Sequence, residues 1–140
     1  MKTCGMAAMV LAACWLCGCT TEPAYTKPES NPYLKQGRIQ YESSTTKYVL
    51  EVVRIDAKRT GGGLLKVIVT FRNTTKQNLW ADVRTTFLDK DAHVLEQTNW
   101  EAVQFDARTV TEYTCTSLSS RAGDYQIIVK KPKKTRLDIP

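Results

Sequence analysis

The sequence predicts an all-β domain built as a sandwich of six to seven antiparallel strands. Three observations carry that expectation. No proline occurs between Pro32 and Pro132, and proline, which cannot donate to a strand ladder, is kept out of sheet interiors. Several runs inside this block alternate apolar and polar residues with the period of two that a half-buried strand imposes. No segment between 37 and 131 sustains the apolar stripe of an amphipathic helix. Short strands separated by frequent turn signals give an immunoglobulin-like β-sandwich, with a small open barrel as the alternative.

The elements follow in order. Lys47 to Asp56 is rich in β-branched and aromatic residues, and Arg59 to Gly63, with three glycines, supplies the turn after it. In the next run Leu65, Val67, Val69 and Phe71 share one face, and Lys66, Ile68, Thr70 and Arg72 the other. Asn73 to Asn78 reads as a polar turn. Leu79, Ala81, Val83, Thr85 and Phe87 then alternate with Trp80, Asp82, Arg84, Thr86 and Leu88. Asp89 to Ala92 forms a hairpin loop, and His93 to Thr98 the return strand. Ala107 to Leu118 is a threonine-rich alternating run, and Gly123 to Lys131 ends the sheet with Tyr125, Ile127 and Val129 on one face.

Outside this block the chain reads as export and anchoring signals. Met1-Lys2-Thr3 is a short positive start, and Gly5 to Cys17 is uncharged and mostly apolar. That run is too short to span a bilayer, which takes about 20 residues, and matches a signal-peptide core. Leu16-Cys17-Gly18-Cys19 has the form of a lipobox, with cleavage between Gly18 and Cys19 and lipidation of the Cys19 sulfur. Two or more acyl chains anchor stably where one binds only marginally. Thr20, rather than Asp, follows the cysteine, which by resemblance to enterobacterial lipoproteins implies sorting to the outer membrane, facing the periplasm. The expected organisation is a signal peptide at 1–18, the acylated cysteine and a proline-punctuated tether at 19–36, the sandwich at 37–131, and a basic tail at 132–140.

Charge and cysteine content exclude several classes. The formal net charge is +6. Lys130, Lys131, Lys133, Lys134 and Arg136 lie in one short stretch without an acid, and the rest of the mature chain is close to balanced. Basicity confined to one end argues against a nucleic-acid-binding face, which spreads Lys and Arg along a surface. Four of the five cysteines fall within the first nineteen residues, so Cys115 alone cannot form a disulfide inside the domain. The spacing of Cys14, Cys17 and Cys19 suits metal ligands, but the three lie in and beside an apolar run with no histidine near.

From the lipobox at Cys19, the strand Leu65 to Phe71 running into Arg72-Asn73-Thr74-Thr75, the strand Val83 to Phe87 with Leu88-Asp89-Lys90-Asp91, then Trp100, a threonine-rich strand and Tyr125-Gln126-Ile127-Ile128-Val129, the chain resembles the YcfL-like family of small bacterial lipoproteins. Ala92 departs from the pattern, which places Gly in that turn, and the basic tail is an addition. The resemblance implies an extracytoplasmic sandwich with no catalytic residues to transfer, and associates the chain with cell-wall biogenesis.

The residues that carry chemistry are few. His93 is the only histidine and lies in a hairpin. Cys115 is mid-strand among threonines, as a buried structural thiol would be. Asp82, Asp89, Asp91, Glu96 and Glu101 crowd the central hairpin but lack the oxygen set of a calcium loop. No cofactor or metal is expected. Trp80 and Arg84 share the outward face of their strand, and with Trp100 they have the composition of a protein-binding hot spot. The basic cluster Lys130, Lys131, Lys133, Lys134 and Arg136 suits an anionic lipid or wall polymer such as peptidoglycan. The expectation is therefore a non-enzymatic, membrane-anchored binding or adaptor module for another envelope protein; the rival is a direct binder of an anionic polymer or lipid.

Overall fold

The computed structural model describes residues 31–134. Gly18, Cys19 and Arg136, and with them the expected signal peptide and acylation site, lie outside the described residues. The fold is an all-β sandwich, as the alternation requires. Two single helical turns, α1 (Pro32–Lys35) and α2 (Thr46–Val49), accompany eight strands. These are β1 (Ile39–Tyr41), β2 (Leu50–Arg59), β3 (Leu65–Asn73), β4 (Leu79–Leu88), β5 (Val94–Gln97), β6 (Glu101–Phe105), β7 (Val110–Thr116) and β8 (Asp124–Val129).

One sheet has the order β2-β3-β7 and is antiparallel throughout. The other is centred on β4, which pairs with β8 along one side and with β6 and β5 in succession along the other. β1 closes the far side of β8, and this pair is parallel. Two expectations are corrected here. Among the described residues the strands number eight, because three-residue β1 and the mixed sequence of β6 are too short or too irregular to show a period of two. The sheet is mixed, because the chain enters beside its own last strand.

The inward faces are those the alternation marks. Val67, Val69 and Phe71 of β3 meet Ala81, Val83 and Phe87 of β4 and Tyr125, Ile127 and Val129 of β8, all buried. Phe71 and Phe105 pack edge to face, with ring centroids 5.7 Å apart and planes at 83°. Thr85 Oγ1 lies in this core, 3.2 Å from the Tyr113 hydroxyl and 3.0 Å from Cys115 Sγ, so a small polar group links the two sheets.

The start of β2 differs from expectation. Thr46–Val49 turns as a helix before the strand begins at Leu50. The segment 31–36, assigned by its composition to the tether, is folded onto the domain. Asn31 is buried; its Oδ1 accepts from Tyr33 N at 3.0 Å and its Nδ2 donates to Val52 O at 2.7 Å. The β2 ladder slips by one residue between Val52 and Arg54, and such a bulge leaves a backbone group for another partner. The Asn31 amide takes that role.

The domain also extends past 131. Lys133 bridges to Trp80, with Trp80 N–H to Lys133 O at 2.7 Å and Lys133 N–H to Trp80 O at 2.8 Å. Val83 is opposite Val129, so one extra residue is accommodated around Lys131-Pro132 before Lys133 meets Trp80. That is a bulge, the place where a strand tolerates proline.

The β4–β5 hairpin carries one strained residue. Ala92 has φ 65°, a left-handed conformation that costs a residue with a Cβ about 1–2 kcal/mol. Ala92→Gly is expected to raise stability by about 1 kcal/mol, net of the entropy glycine gains when unfolded. Thermal unfolding should shift upward by roughly 4 °C; a downward shift would mean that the alanine methyl makes a contact worth more than the strain.

Candidate functional site

The outward face of the β4 sheet gathers the residues of interest. Arg84 and Trp100 meet because β5 and β6, which would otherwise be one strand beside β4, are separated at Thr98-Asn99-Trp100. Thr98 carries the β5 register one residue further, its N–H donating to Thr85 O at 2.9 Å and its Oγ1 accepting from Thr85 N at 2.9 Å, and the pairing slips by one residue before Glu101. The chain then resumes pairing at Glu101 opposite Val83. The Arg84 guanidinium lies 4.4 Å from the Trp100 ring centroid, and Lys130 Nζ, from the end of β8, also lies 4.4 Å from it. Cation–π contacts of this kind stabilise by about 0.5–1 kcal/mol at exposed sites. Arg84 Nε is buried without a hydrogen bond, so the guanidinium is held there by the ring and keeps a donor unspent.

Beside this cluster, the bulge at Lys131-Pro132 opens a cleft of ≈ 190 Å³ lined by Glu42, Trp80, Ala81, Asp82, Lys130, Lys131 and Lys133. Glu42 follows β1, and its Oε2 accepts from the bulged Lys131 N–H at 3.4 Å. Asp82 sits 3.7 Å from Lys130 Nζ. The lysines therefore line a cleft that two carboxylates also line. The face is amphipathic with a cationic excess; it is not a uniformly positive surface.

The structure thus brings Arg84, Trp100 and Lys130 into contact, and sets Trp80, Lys131 and Lys133 around the adjoining cleft. It does not place Trp80 against Arg84. Four residues along a strand span roughly 13 Å, so residues on one face of β4 need not touch, and the partner of Arg84 comes from the gap before β6. Lys134 is exposed beyond the bridge. Sequence reasoning missed Glu42, which no pattern distinguishes from a solvated acid.

The remaining candidates are dispersed. At the β4–β5 hairpin tip, Asp89 Oδ1 accepts from Asp91 N and His93 N, each at 2.9 Å, and Oδ2 lies 3.3 Å from His93 Nδ1. The His93 N–H bond is the leading cause that holds the Asp89 carboxyl below its usual range. Asp89, Asp91 and His93 bring ligand-type atoms within 4.8 Å of one another, but the Asp89 carboxylate is engaged in shaping the turn. Glu96 Oε1 accepts from Leu118 N at 2.7 Å and so ties β5 to the loop before β8. Cys115 faces Thr85 in the core, and burial pushes its thiol up, away from the thiolate a nucleophile needs. His93 and Cys115 have separate partners and form no pair.

The fold and this face define a small two-sheet β-sandwich with an aromatic–cationic outer surface. The sequence matches no protein-family model and no curated protein. In fold it is similar to cj0090 of Campylobacter jejuni, with a TM-score of 0.58 and 19% identity over 68% of this chain and 98% of that one. It is similar as well to a DUF1425 family member from Shewanella sp. pv-4, with a TM-score of 0.55 and 14% identity over 61% of this chain and 81% of that one. Both neighbours are bacterial. At these identities the likeness is one of fold alone.

Proposed function

We propose that this chain is a non-enzymatic lipoprotein of the bacterial cell envelope, held at the outer membrane through Cys19, that binds another envelope protein through the face around Trp80, Arg84 and Trp100. The observation that carries the reading is the contact of Arg84 and Lys130 with one Trp100 ring, beside a cleft walled by Trp80. Trp and Arg are the residues most enriched in interface hot spots, where a desolvated donor and an aromatic surface act together. Membership of the YcfL-like family, and a role in cell-wall biogenesis, belong to the same proposal; the fold shared with a DUF1425 member supports it.

In-cell chemical cross-linking followed by mass spectrometry is expected to recover one dominant envelope protein. Trp100→Ala and Arg84→Ala should each weaken that association by about 2 kcal/mol, roughly thirtyfold, while His93→Ala at the distant hairpin tip leaves it unchanged. Equal recovery with all three variants would remove this face from the binding.

A second reading rests on the three lysines that share the cleft. An anionic wall polymer or lipid would meet Lys130, Lys131 and Lys133 together, and such binding weakens steeply as salt rises. The test is Lys131→Gln with Lys133→Gln, which removes charge and keeps the backbone bridge to Trp80. Deleting the segment would remove part of the sheet. Co-isolation with wall material that survives high salt, or that ignores both substitutions, would dismiss this reading.

A further inference from the structure

A two-sheet sandwich has four strand edges, and natural edges carry devices that stop another strand from adding. Three edges here do. β2 has its bulge and the charged run Arg54, Asp56, Lys58 and Arg59. β1 is only three residues long. β5 and β6 are short and broken at 98–100. β7 has none of these features. It runs from Val110 to Thr116 without proline, lysine, arginine or bulge, and Glu112 is its one charge. Among the described residues it pairs only with β3.

The ladder parity is fixed at both ends. Asn73 N–H donates to Thr109 O at 3.0 Å, and Ser117 N–H to Leu65 O at 2.9 Å. The register between them is unbroken, so the odd residues of β7 bond to β3. The N–H and C=O groups of Val110, Glu112, Thr114 and Thr116 therefore point away from the sheet, and all four residues are exposed.

We propose that this edge pairs with the same edge of a second copy, antiparallel about a two-fold axis at Tyr113, so that the two β2-β3-β7 sheets become one. The strand is complementary to itself in this register. Only even residues offer outward groups, so even must meet even. An axis at Glu112 sets that carboxylate against its own copy, which is destabilising. An axis at Thr114 pushes Val110 past the end of the partner strand. The axis at Tyr113 sets Glu112 against Thr114 and Val110 against Thr116, each twice. It engages every outward group, on the order of eight backbone hydrogen bonds, and covers Val110, which is 55% exposed in the single chain. Such an interface is isologous and closed, ending at two copies.

The full-length protein in density-matched detergent should sediment as a dimer at tens of micromolar. Thr114→Pro removes an outward donor and none of the bonds to β3, so it should give a monomer with an unchanged far-UV spectrum. Hydrogen exchange resolved to single residues, on the wild-type protein, does not depend on that variant folding. Glu112, Thr114 and Thr116 amides should exchange about a hundredfold or more slowly than free amides. A monomer with fast exchange at these positions overturns the proposal. A monomer with slow exchange overturns it in favour of a segment of the same chain lying on the edge. A dimer that survives Thr114→Pro with these amides still fast assigns the contact elsewhere and overturns it equally.

Discussion

Asn73→Asp is expected to destabilise the domain by about 3–5 kcal/mol at neutral pH, a large part of the 5–15 kcal/mol that holds a domain of this size. Asn73 is fully buried at the end of β3. Its Nδ2 donates to Gln77 O at 2.8 Å and to Phe105 O at 2.9 Å, and its Oδ1 accepts from Thr75 N at 2.9 Å and Thr75 Oγ1 at 2.8 Å. One amide thus joins β3, the turn into β4 and the end of β6. Aspartate keeps the acceptor bonds but loses both donors and turns a buried charge toward two carbonyl oxygens, and unmade buried bonds cost about 1–3 kcal/mol each. Burial raises the carboxyl pKa of the variant in the folded state above its unfolded value near 3.9. Between those two values the folded state binds more protons, so stability should rise as pH falls through the folded pKa. Denaturant unfolding at several pH values checks this; a variant with no such recovery, or a loss below about 1 kcal/mol, would show that the amide is not the hinge.

Phe105→Ala should cost about 3–5 kcal/mol. The ring is fully buried and lies edge to face on Phe71, so truncation leaves a cavity between β6 and β3 as well as a lost aromatic pair. The Phe105 carbonyl is also an acceptor for Asn73. The two substitutions should therefore be non-additive, the double variant losing less than the sum of the singles, because each loosens the same end of the sandwich. Additivity within about 0.5 kcal/mol would mean that the two act on separate regions.

Asn73 illustrates where sequence reading stops. Asn-Thr-Thr after an alternating strand is a turn signal, and a turn does follow. That the asparagine is buried depends on β6 arriving opposite it, some thirty residues later. The long strands were legible because Leu79 to Leu88 and Leu65 to Arg72 repeat with a period of two for long enough to declare a face. Ile39-Gln40-Tyr41 has no room for a period, and its place beside β8 is set by pairing across the whole chain. Trp80, Arg84, Trp100 and the lysines were recognisable as residue types. Their grouping was not, because it follows from a gap in one strand and a bulge in another, and neither leaves a mark in composition. Glu42 reaches the cleft through the pairing beside β8, its N–H donating to Val129 O at 3.0 Å, and meets the bulge there.

The parallel pairing of β1 with β8 sets the order in which parts of the fold can form as the chain is made. Ile39 is opposite Ile127, so the first strand can only wait for the last, and contacts of such long sequence separation form late and slowly. β4, which carries the site, likewise takes its partners β5, β6 and β8 from residues that follow it. Until the C-terminal segment has emerged, the outer face has no floor: Lys130 cannot reach Trp100, and Lys133 cannot close the cleft over Trp80. This outer face is thus among the last features to be completed, and a chain cut short before Asp124 would present two unfinished edges in place of it.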